Sequence, residues 1–281
     1  MGSLPHNLIG GYAEFEPPLA QRQYADTNWK LAIPFSRQTC VHHRFVVDPS
    51  VNFSLLRRKN KRGEIESASI RLKGPITKSS LASFPPGLEM VSVRLHLDWC
   101  LPVLGIHPKE ILDTSENFAT LNAALAQRWV DEIGSVPDID EALTFFTAQV
   151  HSLAQQKLNC YDPSYRHYIT SMVRSGGTSQ AIQTLASQLS VTSRHLRRSV
   201  NDIIGLSPKR YTRMLRLVDT LRLADQEKRP NWAQLANAMG YSDQAHMIRE
   251  FKDLIQISPR RIHLERREES RDYETAPSEL Q

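Results

Sequence analysis

With 281 residues, of which 40% are hydrophobic and 23% charged, the chain can bury a sizeable core and is long enough for two domains. No run of about 18 apolar residues offers a membrane span. The start MGSLPHNLIGGY lacks a basic patch leading into an apolar stretch, and His6 stands where myristoylation needs a hydroxyl, so a soluble cytoplasmic protein without membrane contact is expected. The formal charge of +5 is unevenly spread: residues 170–267 hold 17 Lys and Arg against 8 Asp and Glu, the remainder 18 against 22. A basic third on a slightly acidic protein points to a polyanionic partner for one domain.

The first hundred residues read as strands. Trp29–Ile33, Thr39–Val47, Val51–Arg57, Ser67–Lys73 and Met90–Leu97 are short, apolar and separated by turn formers. Within the last, Val91 to Leu97 alternates strictly, as a half-buried strand does. Such a series predicts an antiparallel barrel or sandwich. From Pro108 to Lys157 the pattern turns helical, with Leu121, Leu125 and Trp129, then Ala142, Phe146 and Val150, at fourfold spacing. A linker is expected at Asn159–Ser164 and a helix at Ser164–Arg174, ended by Gly176-Gly177. The charged, aperiodic segment 266–281 reads as a disordered tail.

An internal repeat dominates the basic third. Residues 182–211 recur in outline at 232–262: Leu185-Ala186 answers to Leu235-Ala236, Leu196 to Met247, Val200 to Phe251, and Ser207-Pro208 to Ser258-Pro259. One extra residue in the second copy falls in a turn, where insertions are tolerated.

Each copy reads as a helix-turn-helix. Ile182, Leu185, Ala186 and Leu189 form one stripe, Ser190-Val191 the turn, and Thr192 the cap of a second helix that buries Leu196 and Val200 and ends at Gly205. Its outward face carries Arg194, His195, Arg197 and Arg198, the long cationic side chains a major-groove helix uses on bases and phosphates. In the second copy Leu235, Ala236 and Met239 form the stripe, Gly240-Tyr241 the turn and Ser242 the cap, leaving Asp243, Gln244, His246, Arg249 and Lys252 outward. Between the copies Ser207-Pro208 opens a linker helix reaching Ala224, with Tyr211, Leu215, Val218 and Leu221 or Leu223 inward. At about 1.5 Å per residue that rod is about 26 Å long, able to hold two reading helices about one DNA turn (~34 Å) apart. Arg210, Arg213 and Arg216 along it are placed for the DNA backbone. A lone amphipathic pair with surface arginines is as often a solvated hairpin; two copies in register are not.

Residues 178–264, with Trp232–Ala236, Gly240–His246, Arg249–Lys252 and Ile257-Ser258-Pro259, resemble the DNA-binding domain of the AraC/XylS family of bacterial transcription regulators. The resemblance implies seven helices, two helix-turn-helix units on a linker helix, and a sequence-specific DNA-binding transcription regulator, of which activators are one kind. By position it implies DNA contacts from Arg194, Arg197 and Arg198 and from Gln244, Ala245 and Arg249; His195 and His246, on the same outward faces, are expected to join them. Backbone contacts are expected from Ser193, Lys209, Arg210, Arg213 and Lys252. Two departures stand out: Val200 replaces a common Phe, which would loosen the first unit, and Ile257 replaces a Gly, which would remove a left-handed cap.

Residues 1–160 resemble the family's effector or dimerisation domains more weakly, through His42–Pro49 and Val93–Gly105. The whole is therefore expected to be α+β: an N-terminal antiparallel barrel or sandwich with helices over 1–160, an all-α DNA-binding domain over 165–265, and the tail. Expected partners are duplex operator DNA, RNA polymerase, a small-molecule effector and a second copy of the chain. The alternative is a ligand-independent DNA binder whose N-terminal domain only dimerises. No cofactor, metal or enzymatic activity is expected. Cys40, Cys100 and Cys160, sixty residues apart, fit neither a disulfide framework nor a zinc site and read as inert thiols. A thiolate-based repair methyltransferase would need clustered cysteines or a Pro-Cys-His site, and Cys160 is followed by Tyr161. A barrel metal site on His42, His43 and His96 is disfavoured, because adjacent strand residues face opposite ways.

Overall fold

The computed structural model describes residues 11–35, 40–157 and 179–274. In its N-terminal part the described strands are β1 (Tyr12–Phe15), β2 (Ala25–Ala32), β3 (Val41–Phe45), β4 (Val51–Lys59), β5 (Ile65–Lys73), β6 (Ser80–Phe84), β7 (Leu88–Leu95) and β8 (Ser115–Asn117). An antiparallel sheet runs β1-β2-β7-β4-β5-β8, and β3 with β6 forms a separate two-stranded ribbon. The expected antiparallel, sheet-rich N-terminal part is present. Strands β1, β6 and β8 were not anticipated; they are short and lie at sheet edges or in the ribbon, where apolar alternation is weakest.

Period-two alternation gives the sheet two unlike faces. Val91, Val93 and Leu95 of β7 and Phe53 and Leu55 of β4 are buried on one. That face packs on α2 (Ala123–Ile133) and α3 (Ile139–Lys157), where the Phe53 ring lies 5.6 Å from those of Trp129 and Phe146. On the other face stand Asn52, Ser54, Ser92 and Arg94. Ser54 and Ser92 hydrogen-bond at 2.8 Å, and Trp29 Nε1 donates to Asn52 Oδ1 at 3.0 Å. Ala142, Phe146 and Val150 form the expected buried stripe of α3, but the stripe of α2 is Ala126, Trp129 and Ile133. Leu121 precedes α2 and is 45% exposed, because Asn122 caps the helix by accepting from the Leu125 amide at 3.0 Å.

A short helix, α1 (Cys100–Leu104), precedes these two. The C-terminal part is helical: α4 (Ser179–Gln188), α5 (Ser193–Ile204), α6 (Pro208–Asp225), α7 (Trp232–Ala238), α8 (Gln244–Ile255) and α9 (Pro259–Glu274). The expected link at 159–164, the helix at 164–174 and Cys160 lie outside the described residues. The segment expected to be a tail from residue 266 is instead helical as far as Glu274, within α9, and Arg266 is buried and donates to Asp225 at 2.5 Å. One hydrophobic cluster joins the two parts, running from Trp99, Cys100 and Ile111 to Val200, Ile204 and Leu206.

Candidate DNA interface and effector cavity

In the first unit the chain leaves α4 through Ser190, which takes a left-handed φ of 55°, and enters α5 at Thr192, whose hydroxyl accepts from the His195 amide at 3.1 Å. Leu196, Val200 and Ile204 are buried, and Gly205 ends the helix at φ 70°. Arg194, His195, Arg197 and Arg198 are all exposed, and Ser193 is half-buried at the helix start. Arg198 has only a long i,i+4 pairing with Asp202, at 3.9 Å. Val200, expected to soften this unit, is 1% exposed.

The second unit repeats the turn through Gly240 at φ 72°. Its cap is Asp243 rather than Ser242: the Asp243 carboxylate accepts from the His246 amide at 2.6 Å, while the Ser242 hydroxyl meets His246 Nδ1 at 3.1 Å. The hydrogen bond donated by the His246 backbone N–H holds the Asp243 carboxyl below its ordinary pKa, with Ser242 and Arg249 adding to the effect. Gln244, Ala245, Arg249 and Lys252 are exposed. His246 is half-buried, edge-on to Tyr241 at 5.6 Å. The left-handed residue before Ser258-Pro259 is Gln256, φ 62°, and not Ile257, so the equivalent of Gly205 lies one residue earlier than expected.

Two residues expected on the DNA backbone have protein partners. Arg213 is held by Glu250 at 2.9 Å and Asp253 at 2.5 Å. Arg210 is half-buried and donates to the Thr77 carbonyl at 3.5 Å, in the junction with the N-terminal part. Lys209 is exposed. Arg216 stacks over the Tyr241 ring, 5.2 Å from its centroid.

Helix α6 is apolar on two sides. Met214, Leu217, Leu221 and Ala224 are fully buried. Of the other residues expected in the core, Tyr211 and Val218 pack against its edge, and together with Leu215 they also line a cavity of about 1130 Å³. Its remaining walls are the polar face of the sheet and the ribbon, the latter through His43, Phe45 and Phe84. His43 is buried edge-on to Phe45 at 4.9 Å, while His42 points out to Ser83, in keeping with the alternation expected of neighbours on a strand. His96 also lines the cavity.

Charge in the cavity is divided. Arg94 is ringed by Asp48, Glu14 and Asp26; burial opposes its charge, but these acids and Tyr12 more than offset that and raise its pKa. Glu14, 3.5 Å from Arg94, is itself pushed up by burial, with Arg94 and Tyr12 pulling the other way. Lys73 extends from the end of β5 into the cavity, its ammonium 3.4 Å from the centroid of the Phe45 ring. Burial lowers Lys73 to about 8, against a partial rise from Asp48.

A pair of capped helix-turn-helix units on one rigid helix, each with an exposed polar reading face, defines a DNA-binding regulator. Residues 185–263 match the family model of a helix-turn-helix domain. This part of the chain is an AraC-type helix-turn-helix domain, and the protein is a DNA-binding transcription regulator. No curated protein sequence matches the chain. Among solved structures, ToxT from Vibrio cholerae O395 is similar at 11% identity and a TM-score of 0.44, over 91% of this chain and 98% of that one. Unsaturated fatty acid-bound ToxT from strain SCE256 aligns at 13% identity and 0.41, over 84% and 92%. The C-terminal domain of AraT, a response regulator from Geobacillus stearothermophilus, aligns at 17% and 0.31, over 43% and 93%. Among the described residues no helix is long and apolar enough to cross a membrane.

Proposed function

We propose that the protein regulates transcription by sequence-specific operator binding that a small-molecule effector in the cavity controls. Helix α6 carries the reading: its Tyr211, Leu215 and Val218 line the cavity, while its Met214, Leu217 and Leu221 sit in the common core with both helix-turn-helix units. A ligand that moves this helix changes how the two reading helices are presented to one duplex. Base readout is assigned to Arg194, His195, Arg197 and Arg198 of α5 and to Gln244, Ala245, His246 and Arg249 of α8. Phosphate contacts are assigned to Ser193, Lys209 and Lys252.

The operator is first selected from a random duplex pool. Leu215→Trp, which fills part of the cavity without touching the DNA-facing set, should then change operator affinity at least threefold while the helical signal is preserved. Unchanged affinity would favour an N-terminal part that only dimerises.

A further inference from the structure

The charged groups of the cavity do not balance one another in place. Its arginines are engaged: Arg22 by Glu16 at 2.8 Å, Arg44 by Glu265 at 3.0 Å, Arg94 by Glu14 and Arg266 by Asp225, while Arg71, with no ion pair among the described residues, donates to the Ser115 carbonyl at 2.7 Å. Its carboxylates gather elsewhere. Glu14 and Asp26 act on Arg94, and Asp48 is bonded by the Ser50 amide at 3.0 Å and the Asn52 side chain at 3.2 Å. Lys73 is the exception: among the described residues its ammonium makes no hydrogen bond or ion pair, and it meets only the face of Phe45 and the more distant field of Asp48. An ammonium withdrawn from water without a carboxylate is unfavourable, and a cavity is where a ligand can supply the missing charge.

We infer that the effector is an organic monoanion, an amphipathic carboxylate, whose acidic group pairs with Lys73. Its apolar body would lie along Trp29, Phe45 and Met90 and reach Leu215 and Val218 on α6. One ammonium with three donors suits a single carboxylate; a phosphate dianion calls for a second cation, and Arg71, two residues back on β5, already spends its guanidinium on the Ser115 carbonyl. The volume lies just above the usual range of about 300–1,000 Å³ for small-molecule sites, leaving room for a body of ring or chain beyond the head group. This assignment rests on the effector-cavity reading and names the chemistry of that site.

The probes are 4-phenylbutanoate and 2-naphthoate, each beside its neutral amide, titrated into the full chain by calorimetry at pH 7. Each acid should bind at least tenfold more tightly than its amide. Lys73→Met should abolish that preference while leaving amide binding within about twofold, and Lys73→Arg should keep part of it. Acids and amides binding alike to the unaltered chain, no binding of either, or an acid preference that survives in Lys73→Met would each overturn the assignment. Operator affinity is read separately: acids that bind through Lys73 without changing it would leave the monoanion site standing and remove the coupling through α6.

Discussion

Arg44, on the ribbon strand β3, places its Nε 3.0 Å from Oε2 of Glu265 on α9, tying the cavity wall to the last described helix of the DNA-binding part. The same carboxylate receives Arg261 Nε at 2.9 Å on its other oxygen. Both partners are partly exposed, so the pair lies in the range of about 0.2–1 kcal/mol measured for solvent-accessible ion pairs. Arg44→Ala should therefore lower urea-unfolding stability by less than about 1 kcal/mol. The deficit should shrink toward zero at 1 M salt, where the screening length is about 3 Å. A salt-independent loss of several kcal/mol would mean that the arginine acts through packing instead.

Three classes of cation on the DNA-binding part should separate in a titration series. Arg197→Ala removes an exposed cation of α5 that has no ion pair among the described residues; it should cost about 1–3 kcal/mol in operator binding and relax the preference at one position. Lys252→Ala should weaken all duplexes alike and reduce the slope of log affinity against log salt by about 0.9. Arg213→Ala should leave that slope unchanged and lower stability instead, because it strips Glu250 and Asp253 of their partner. A changed salt slope for Arg213→Ala would return that residue to the DNA backbone.

The repeat made the two helix-turn-helix units legible, because Leu196, Val200, Met247 and Phe251 keep helical spacing whatever they pack against. Thr192 and Ser207 were legible as caps for the same local reason. What periodicity cannot say is which neighbour an apolar stripe meets. Tyr211, Leu215 and Val218 read as core; Tyr211 and Val218 do pack against its edge, but all three also face a cavity supplied by strands more than a hundred residues earlier. Arg210 and Arg213 read as free cations because their partners, Thr77 on one side and Glu250 with Asp253 on the other, are brought in by the tertiary fold. Lys73 carried no signal: at the end of a strand it looks like an ordinary solvated lysine, and only the closure of α6 and the ribbon around it withdraws it from water.

The corresponding helix ends at Gly205 and Gln256 should respond to substitution in opposite directions. Both lie in the left-handed region, at φ 70° and 62°. A side chain there is disfavoured relative to Gly by roughly 1 kcal/mol. Gln256→Gly should therefore raise stability by up to about 1 kcal/mol. Gly205→Ala meets a second obstacle, since its Cβ would lie 2.5 Å from the Lys109 amide nitrogen in the N-terminal part. It should destabilise by well over 1 kcal/mol, and equal small effects at the two sites would show that the contact with Lys109 yields easily.

Lys73 sets a stability experiment distinct from ligand binding. Its folded pKa of about 8 lies below the ordinary 10.5, so the folded state releases this proton first as pH rises. Below pH 8 the lysine is charged in both states, and the full desolvation cost weighs against folding. Between pH 8 and 10.5 the unfolded chain binds more protons, so stability rises with pH through that window. Lys73→Met abolishes the titration and retains an apolar body against Phe45. In the absence of ligand the variant should be more stable than the original chain at pH 7, by up to about 3 kcal/mol from the linkage of a shift of this size, and less where water reaches the ammonium. The gap should narrow steadily from pH 8 to 10. A gap of the same size at pH 7 and pH 10 would show that the ammonium is solvated in the folded state, and with it the demand for an anionic partner would disappear.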